Sequence, residues 1–543
     1  MSKQTKEDLY AKAVQAGKKL CLPTVDFSDP DRPLTCLEVD FPILPINSIS
    51  AIEGNAGKPI YQMSKWWARR RSSVFRSILL AAATAAPNDN TNTAKLVWDS
   101  YYANHQDNAE FAKLKVADIF MGGGTTIVEG LRLGFQMFGN DLNPVAHFIV
   151  QNEVANVDKT AVEKLLQEIE DKVKPEIQPY YTCDCPRCSN TAETIYTFWG
   201  KHVQCTDSNC GHYTPIMSKP VFAIKELTVK AYLDQKCEHC DGIFDLELQD
   251  VHIAPTSSQL TTTSVIHIVS ENEKPFAVFD NKEFTATCPH CKKKAHFNKL
   301  EKAVNKKIEF TMLVHPDYLK GIDAATAPDV NQGLLQQSMI HPFIEYRGKL
   351  PQSINVQLAK ENESHEYDTQ KATVPQKAHF ICAKCGLQQD MLSAVRKLGH
   401  PAPFVPYAIQ GYCPECDKNK QPYGGRFFAI PDVAGYNNAI KKYKKSQNKI
   451  AHYIPKQSIP IGKETDRLPK HQYTHWYQMF NPRQLLGLAT LLKTIDEANA
   501  TQEIKNFVLG TFQDFIQYEC MFTLWSITRD HMSGALMNGN FYP

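Results

Sequence analysis

The sequence predicts an α/β fold in which a compact βαβ half is followed by a long cysteine-rich insertion and by closing helices. Three observations support this prediction. A glycine-rich turn joins a strand pattern to a helix pattern, six closely spaced cysteine pairs follow it, and leucine-rich helical patterns return near residue 480. At 543 residues the chain is long enough for roughly three or four domains.

The glycine-rich turn lies between an apolar strand pattern at residues 116–120 and a helix pattern at residues 127–133. Glycines let the backbone approach a ligand closely, and the first N–H groups of the helix are free to bind it. A second apolar strand leads to Asp141, a carboxylate placed to hydrogen-bond the hydroxyls of a ribose. We therefore expect a cofactor site made of Asp118, Phe120, Gly122, Gly124, Thr125, Asp141 and Asn143.

The six cysteine pairs have the spacing of zinc sites. Two thiolates a few residues apart can share one tetrahedral ion, and two such turns complete a site that leaves no open position for catalysis. The chain has no secretory signal, so the pairs indicate structural metal binding in a reducing cytoplasm. Pairing by sequence neighbours predicts three zinc ions, held by Cys185, Cys188, Cys205 and Cys210, by Cys237, Cys240, Cys288 and Cys291, and by Cys382, Cys385, Cys413 and Cys416.

Pairing between distant turns is the alternative, because zinc ribbons sometimes interleave. The second set is the weakest, since 47 residues separate its two pairs. Cys183 competes with Cys185 for the first position, although the spacing favours Cys185. The alternative is a set of unrelated reduced pairs or redox-active dithiols.

An arginine cluster precedes the glycine turn, in a helical pattern for which Ser64 is the candidate N-cap. One interpretation is a core-packing helix with solvated arginines. The other is that Arg69, Arg70 and Arg71 contact DNA phosphates. Lysine clusters at residues 292–307 and 441–445 leave the same two interpretations open.

Three segments in this order carry a family resemblance: KWWARR at residues 65–70, D-x-F-x-G-x-G-T at residues 118–125 and DLNPVA at residues 141–146. They resemble the zinc-ribbon-containing adenine-specific DNA methylases of bacteria and archaea, except that Arg71 stands where that family has proline. The resemblance implies a Rossmann-like class I methyltransferase half with inserted zinc ribbons and flanking helices. It also implies S-adenosylmethionine as cofactor, double-stranded DNA as partner and the N6 amino group of adenine as methyl acceptor.

The chain is expected to divide into four parts. The parts are an irregular segment (1–57), the cofactor-binding half (58–155), the zinc-ribbon insertion (156–430) and a basic linker with helices returning to the first half (431–543). Within the insertion we expect ribbons near residues 180–220, 230–300 and 378–420, and lysine-rich helix with connectors over residues 300–378.

Two helices are predicted near the end of the chain. One is capped by Asn481 with Pro482 in its first position, and the other covers residues 507–525.

The motif that grips the target amino group is absent from the sequence. Amino-methyltransferases use D-P-P-Y or N-P-P-Y, and no Asp-Pro or Asn-Pro pair here continues in that way. The resembled family carries the motif after the helices around Arg483, so we expect a fragment of a longer methyltransferase. A split enzyme completed by a second chain is the alternative.

Two other functions stay open, an RNA methyltransferase and a non-catalytic zinc-dependent DNA-binding subunit. Restriction–modification and phage defence are both compatible with these residues. The net charge of +2 gives no global polycationic signal, so a nucleic-acid surface has to be local. The longest apolar run, residues 78–86, is too short to span a bilayer, and no membrane association is expected.

Overall fold

The computed structural model describes residues 24–53, 59–64, 66, 68–88, 93–103, 110–255, 265–280, 282–326, 333–358, 363–463 and 465–534. Lys65 and Trp67 of the KWWARR segment and residues 1–23 and 54–57 of the predicted N-terminal part therefore lie outside the described residues. The chain forms two compact units, residues 1–170 with 494–516 and residues 171–493 with 517–543. Residues 431–493, predicted to return to the cofactor-binding half, belong to the second unit.

The helices of the described residues are numbered here in chain order. They are α1 (Cys36–Val39), α2 (Ile43–Glu53), α3 (Ser72–Ala83), α4 (Thr93–Ala103), α5 (Thr125–Leu133), α6 (Pro144–Val154), α7 (Lys159–Ile177), α8 (Pro316–Leu319), α9 (Met391–Leu398), α10 (Pro414–Lys418), α11 (Val433–Ile450), α12 (Arg467–Lys470), α13 (Pro482–Glu497) and α14 (Gln502–Ile516). Short 3-10 turns lie at Pro59–Gln62, Phe111–Lys113, Gln178–Tyr180, Gln337–Met339, Ala451–Tyr453 and Trp476–Met479. None of these helices combines the length and the apolar character that crossing a membrane requires.

The strands follow the same numbering. They are β1 (Lys115–Asp118), β2 (Gln136–Gly139), β3 (Thr182–Asp184), β4 (Thr191–Gln204), β5 (Tyr213–Pro215), β6 (Val221–Lys236), β7 (Ile243–Leu248), β8 (Val265–Val269), β9 (Phe276–Asp280), β10 (Glu283–Thr287), β11 (Lys294–Phe297), β12 (Ala303–Val314), β13 (Phe343–Arg347), β14 (Ser353–Gln357), β15 (Ser364–Asp368), β16 (His379–Ile381), β17 (Gln388–Asp390), β18 (Phe404–Tyr412), β19 (Arg426–Ala429), β20 (Leu524–Ser526) and β21 (His531–Ser533).

The first unit contains the predicted strand–turn–helix–strand motif. β1 and β2 pair in parallel, from Lys115 opposite Gln136 to Asp118 opposite Gly139, and α5 connects them. Buried side chains of α3 pack with Leu133 and Phe135 beneath this pair. The α/β class is therefore confirmed. The described part of this sheet has two strands, and a complete Rossmann-like sheet stays a prediction.

Helix α3 begins later than the sequence indicates. Ser64, the predicted N-cap, donates its hydroxyl to the Gly510 carbonyl at 3.3 Å. The helix starts at Ser72, where the carboxylate of Glu53 accepts hydrogen bonds from the backbone N–H groups of Ser72 and Ser73 at 3.0 and 3.1 Å. A carboxylate from α2 thus replaces a local serine cap, and sequence spacing gave no sign of it.

The second unit is built on two larger sheets. One has the strand order β11-β10-β9-β7-β6-β12-β13-β8, and the other has the order β19-β18-β4-β3 with β5 paired to β4. Their shared core contains Phe198 on β4, Phe222 on β6, Phe310 on β12 and Phe428 on β19. The prediction of lysine-rich helix after residue 300 is wrong. Ile308, Phe310 and Met312 are buried at every second position, which is the period of a strand.

The closing helices agree with the sequence in one case and differ in the other. Asn481 caps α13 as predicted, because its side-chain oxygen accepts a hydrogen bond from the Gln484 N–H at 2.9 Å. The second helix, α14, spans Gln502–Ile516 rather than residues 507–525. Cys520 and Phe522 instead enter an apolar cluster of the second unit, and residues 524–526 form β20.

Candidate cofactor loop and metal centres

The glycine turn lies at the carboxyl ends of β1 and β2, the edge at which parallel sheets bind ligands. Pairing continues past the strands, since the Asn140 N–H donates to the Asp118 carbonyl at 2.9 Å. The carboxylate of Asp141 then closes the turn by accepting hydrogen bonds from the N–H groups of Asn143 at 2.8 Å and Gly122 at 2.9 Å. These bonds lower the pKa of Asp141, and the group stays ionised at neutral pH.

Both predicted loop glycines have positive φ, +52° at Gly122 and +77° at Gly124. A Cβ atom at Gly124 would lie 2.5 Å from a methyl carbon of Val150. At Gly123 it would lie 2.8 Å from the indole of Trp66. The glycines are thus required by the packing of the protein itself, in addition to any ligand. Sequence reasoning missed that Trp66 covers the loop, although the KWWARR segment was the available signal.

The remaining predicted cofactor residues shape the same edge. Asp118 accepts a hydrogen bond from the Phe120 N–H at 3.1 Å, and Asn143 caps α6 by accepting from the Val145 N–H at 2.9 Å. Thr125 begins α5 and donates its hydroxyl to the Arg70 carbonyl at 3.3 Å. The Phe120 side chain is 83% exposed, so its ring is accessible to a ligand.

The predicted DNA-binding arginines do not share one environment. Arg69 is directed into its own unit. Its guanidinium lies 2.7 Å from the buried carboxylate of Glu153, donates to the Gly123 carbonyl and stacks on the Tyr61 ring. Arg69 therefore braces the glycine loop, which is at odds with a phosphate contact. Arg71 is partly buried, whereas Arg70 is exposed.

A second buried ion pair joins α3 to α5. Arg76 lies 2.6 Å from the carboxylate of Glu129, and both side chains are almost fully buried. The Tyr61 hydroxyl donates to the same carboxylate at 3.0 Å. Arg76 therefore positions the helix whose N-terminus forms the loop.

Several lysines of the basic clusters are held in intramolecular ion pairs. Lys302 pairs with Asp234, Lys306 with Glu247 and Lys307 with Glu226, at 2.6 to 2.8 Å. These cross-strand contacts favour the interpretation of a solvated face over that of a phosphate-binding surface.

The twelve predicted cysteines form three groups of four, and their grouping corrects the neighbour pairing. Closest sulfur–sulfur distances within each group are 3.6 to 3.8 Å. With zinc–sulfur bonds of about 2.3 Å, the edge of a ZnS₄ tetrahedron is roughly 3.8 Å, so each group fits one zinc ion. The groups are Cys185, Cys188, Cys413 and Cys416; Cys205, Cys210, Cys382 and Cys385; and Cys237, Cys240, Cys288 and Cys291.

The first and third expected sets are therefore wrong as groupings, whereas the long-insert set is brought together as expected. The reason lies in the sheet. β3 and β18 both neighbour β4, which brings Cys185 after β3 close to Cys413 after β18. Cys205 follows the other end of β4 and meets Cys382, which follows β16. One strand, β4, of about 43 Å thus connects two of the cysteine groups.

Hydrogen-bond donors lie close to several sulfurs of these groups. The Arg187 N–H lies 3.5 Å from the Cys185 sulfur, and the Gln389 amide donates to the Cys205 sulfur at 3.1 Å. A backbone hydrogen bond from Asn190 lowers the pKa of Cys188 to about 7. Cys183 stays outside the first group, and burial raises its pKa to about 11.

Comparisons with known proteins give one partial similarity. A segment of 60 residues, 11% of this chain, is 28% identical to the Type II methyltransferase M.MvaI of Kocuria varians, of which it covers 13%. No protein-family model matches the chain. No solved structure matches it either. The similarity supports a relationship to methyltransferases and extends to no narrower family.

Proposed function

We propose that this chain is the cofactor-binding and zinc-containing part of an S-adenosylmethionine-dependent DNA methyltransferase that acts on the N6 amino group of adenine. The observation that carries the proposal is the turn at Gly122–Gly124, closed by Asp141 at the carboxyl edge of a parallel βαβ motif. The partial similarity to a Type II methyltransferase supports the same reaction class.

The residues at this edge suit the parts of S-adenosylmethionine. An ionised carboxylate has about four lone-pair sites, and its two backbone partners leave Asp141 with acceptor capacity for ribose hydroxyls. The exposed Phe120 ring offers a stacking surface for adenine. The N-terminus of α5 offers backbone donors beside the loop. When bound, the cofactor supplies the methyl group.

The DNA and adenine assignments rest on the order of the KWWARR, glycine-loop and DLNPVA segments, which resembles adenine-specific DNA methylases. Arg70 is the exposed arginine of this region, next to the loop, and we assign the phosphate contact to it. The three cysteine groups hold structural zinc, since each supplies four sulfurs.

Catalysis also requires a group that grips the adenine amino group. The 543 residues contain no D-P-P-Y or N-P-P-Y segment. We therefore propose that this segment comes from a further stretch of the protein or from a second chain.

Calorimetric titration with S-adenosylmethionine tests the cofactor site. Asp141→Ala should weaken binding by about 1–3 kcal/mol, because ribose hydroxyls lose their acceptor. Asp141→Asn keeps the size and should lose less. Asp99→Ala, on an exposed ion pair of α4, is the matched control and should bind as the wild type does. Equal affinity in all four proteins would refute the site.

Transfer of labelled methyl groups to adenine-containing duplex DNA tests whether residues 1–543 need a separate segment for catalysis. Residues 1–543 alone should bind the cofactor but transfer no methyl groups, and addition of the D-P-P-Y segment should restore adenine methylation. Methylation by residues 1–543 alone would contradict the proposed place of the catalytic motif. Labelling of tRNA in preference to DNA would contradict the substrate.

A further inference from the structure

A second kind of metal-ligating cluster lies in the large sheet of the second unit. Glu345 on β13 is directly opposite His267 on the parallel strand β8, and His252 lies in the loop after β7. The Glu345 side chain is fully buried. One of its oxygens, Oε1, lies 2.7 Å from Nδ1 of His252 and 3.3 Å from Nδ1 of His267. The two imidazole rings are 4.1 Å apart.

We propose that His252, His267 and Glu345 form a metal site for a divalent transition-metal ion, distinct from the three cysteine groups. The three ligand atoms lie within 4.8 Å of one another. With metal–ligand bonds of about 2.0–2.1 Å, neighbouring ligand atoms of a tetrahedral site lie roughly 3.3 Å apart. The contact of Glu345 with His267, at 3.3 Å, already has that spacing. Without an ion, each close contact between a histidine Nδ1 and the carboxylate Oε1 requires a proton between the two atoms. A bound metal ion would take the place of both protons.

His252 and Glu345 are held in the way that metal ligands usually are. Nε2 of His252 lies 2.6 Å from a carboxylate oxygen of Asp250, which fixes the tautomer that leaves Nδ1 free to bind an ion. The second oxygen of Glu345 accepts the Ala254 N–H at 2.6 Å, which holds the carboxylate in place. Nε2 of His267 is buried and has no hydrogen-bond partner in the described part of the chain.

The site is connected to the first cysteine group. Arg187, inside the Cys185–Cys188 turn, donates to the His252 carbonyl at 3.1 Å and to the Arg426 carbonyl at 3.0 Å. The side chain of Arg187 therefore links the Cys185–Cys188 turn to the backbone of the histidine cluster.

The donor set decides the class of ion. Two imidazoles and one carboxylate suit borderline ions such as Zn²⁺, Fe²⁺ or Co²⁺ better than a soft ion such as Cu⁺. With three protein ligands among the described residues, the site leaves a coordination position for water or substrate, unlike the closed cysteine groups. The competing explanation is a proton-shared charge cluster in which His252 is an imidazolium between two carboxylates.

Titration with Co²⁺ tests the site in protein that has been supplied with only three equivalents of Zn²⁺, one for each group of four thiolates. The wild type should take up one further ion per chain, with cobalt d–d absorption and without thiolate-to-cobalt charge transfer. His267→Gln and Glu345→Gln should each lower the affinity for this Co²⁺ ion at least tenfold. His452→Ala, an exposed histidine away from the cluster, is the control and should bind as the wild type does.

Zinc content identifies variants that fold, since the cysteine groups should keep their three ions in each of them. His252→Gln serves as the second variant if Glu345→Gln loses cysteine-bound zinc. Absence of Co²⁺ uptake by the wild type would overturn the site and support the charge cluster. Uptake accompanied by thiolate charge transfer, or unchanged in the folded histidine variants, would overturn it as well.

Discussion

The glycine loop and the cysteine groups are assembled in opposite ways. The residues of the loop lie between Asp118 and Asn143, within one βαβ motif. The cysteine group of Cys185 is completed by Cys413 and Cys416, more than 220 residues further on. A local site is determined by the turn that forms it, whereas a non-local site is determined by the order of strands in a sheet.

That difference explains which inferences from sequence succeeded. Spacing identifies a zinc knuckle well, because two thiolates in one turn are a local property. Spacing does not identify which two knuckles meet, because that choice belongs to β3, β4 and β18. The set separated by the longest insert is the one that neighbour pairing describes correctly.

The largest expected effect distinguishes interleaved from neighbouring metal groups. Replacing Cys185, Cys188, Cys413 and Cys416 together by serine removes one complete group of the structure. If neighbouring pairs formed the groups instead, the same replacement would remove two ligands from each of two groups. Metal analysis should therefore show the loss of one zinc ion per chain. The region should also unfold locally, since structural zinc contributes on the order of 10 kcal/mol.

The matched variant replaces Cys185, Cys188, Cys205 and Cys210 by serine and changes the same number of residues. It should lose two zinc ions, because these cysteines belong to two groups. The reverse outcome, two ions lost in the first variant and one in the second, would restore neighbour pairing.

A smaller effect tests the support of the glycine loop. Arg76→Met should lower the free energy of unfolding of the first unit by roughly 3–5 kcal/mol, because it leaves the buried carboxylate of Glu129 without its main partner. Urea denaturation measures the loss. Lys95→Met, at an exposed pair with Asp99, should cost at most about 1 kcal/mol. Equal losses would mean that the buried pair does not hold α5.

The strand–turn–helix–strand part of the first unit was predictable from sequence, since β1, α5 and β2 lie within a few residues of their predicted positions. The prediction of an irregular segment over residues 1–57 is wrong for α1 and α2, which lie within it. Partners distant in sequence were not predictable. Glu53 caps α3, Glu153 binds Arg69 and Glu345 meets His267, and each contact joins residues that no local periodicity relates. The strand β12 was missed because its lysines resemble the exposed face of a helix, although alternate positions are apolar.

A third prediction concerns the backbone of the loop. Gly124→Ala should destabilise the first unit by roughly 2–3 kcal/mol, since the added methyl group meets Val150 in addition to the strain of positive φ. Gly399→Ala carries the same φ strain, with no atom within 4 Å, and should cost about 1 kcal/mol in the second unit. Thermal unfolding measures both. A larger loss at Gly399 would contradict the packing described for the loop.

The smallest effect concerns DNA. Arg70→Ala should weaken duplex binding by about tenfold or less. It should also lower the salt dependence of the affinity by the amount that about one phosphate contact contributes. Arg69→Ala should lower the thermal stability of the first unit and leave the salt dependence of the affinity unchanged. Filter binding at several salt concentrations measures this difference. A reduced salt dependence in Arg69→Ala alone would reverse the assignment.

The position of the methyl donor is the central claim, and photochemical cross-linking tests it most directly. Methyl-labelled S-adenosylmethionine is irradiated on the protein, and the labelled peptide is identified after digestion. The account predicts label within residues 118–143, competed away by unlabelled cofactor and reduced in Asp141→Ala. Label confined to peptides of the second unit, competed to the same extent, would contradict it.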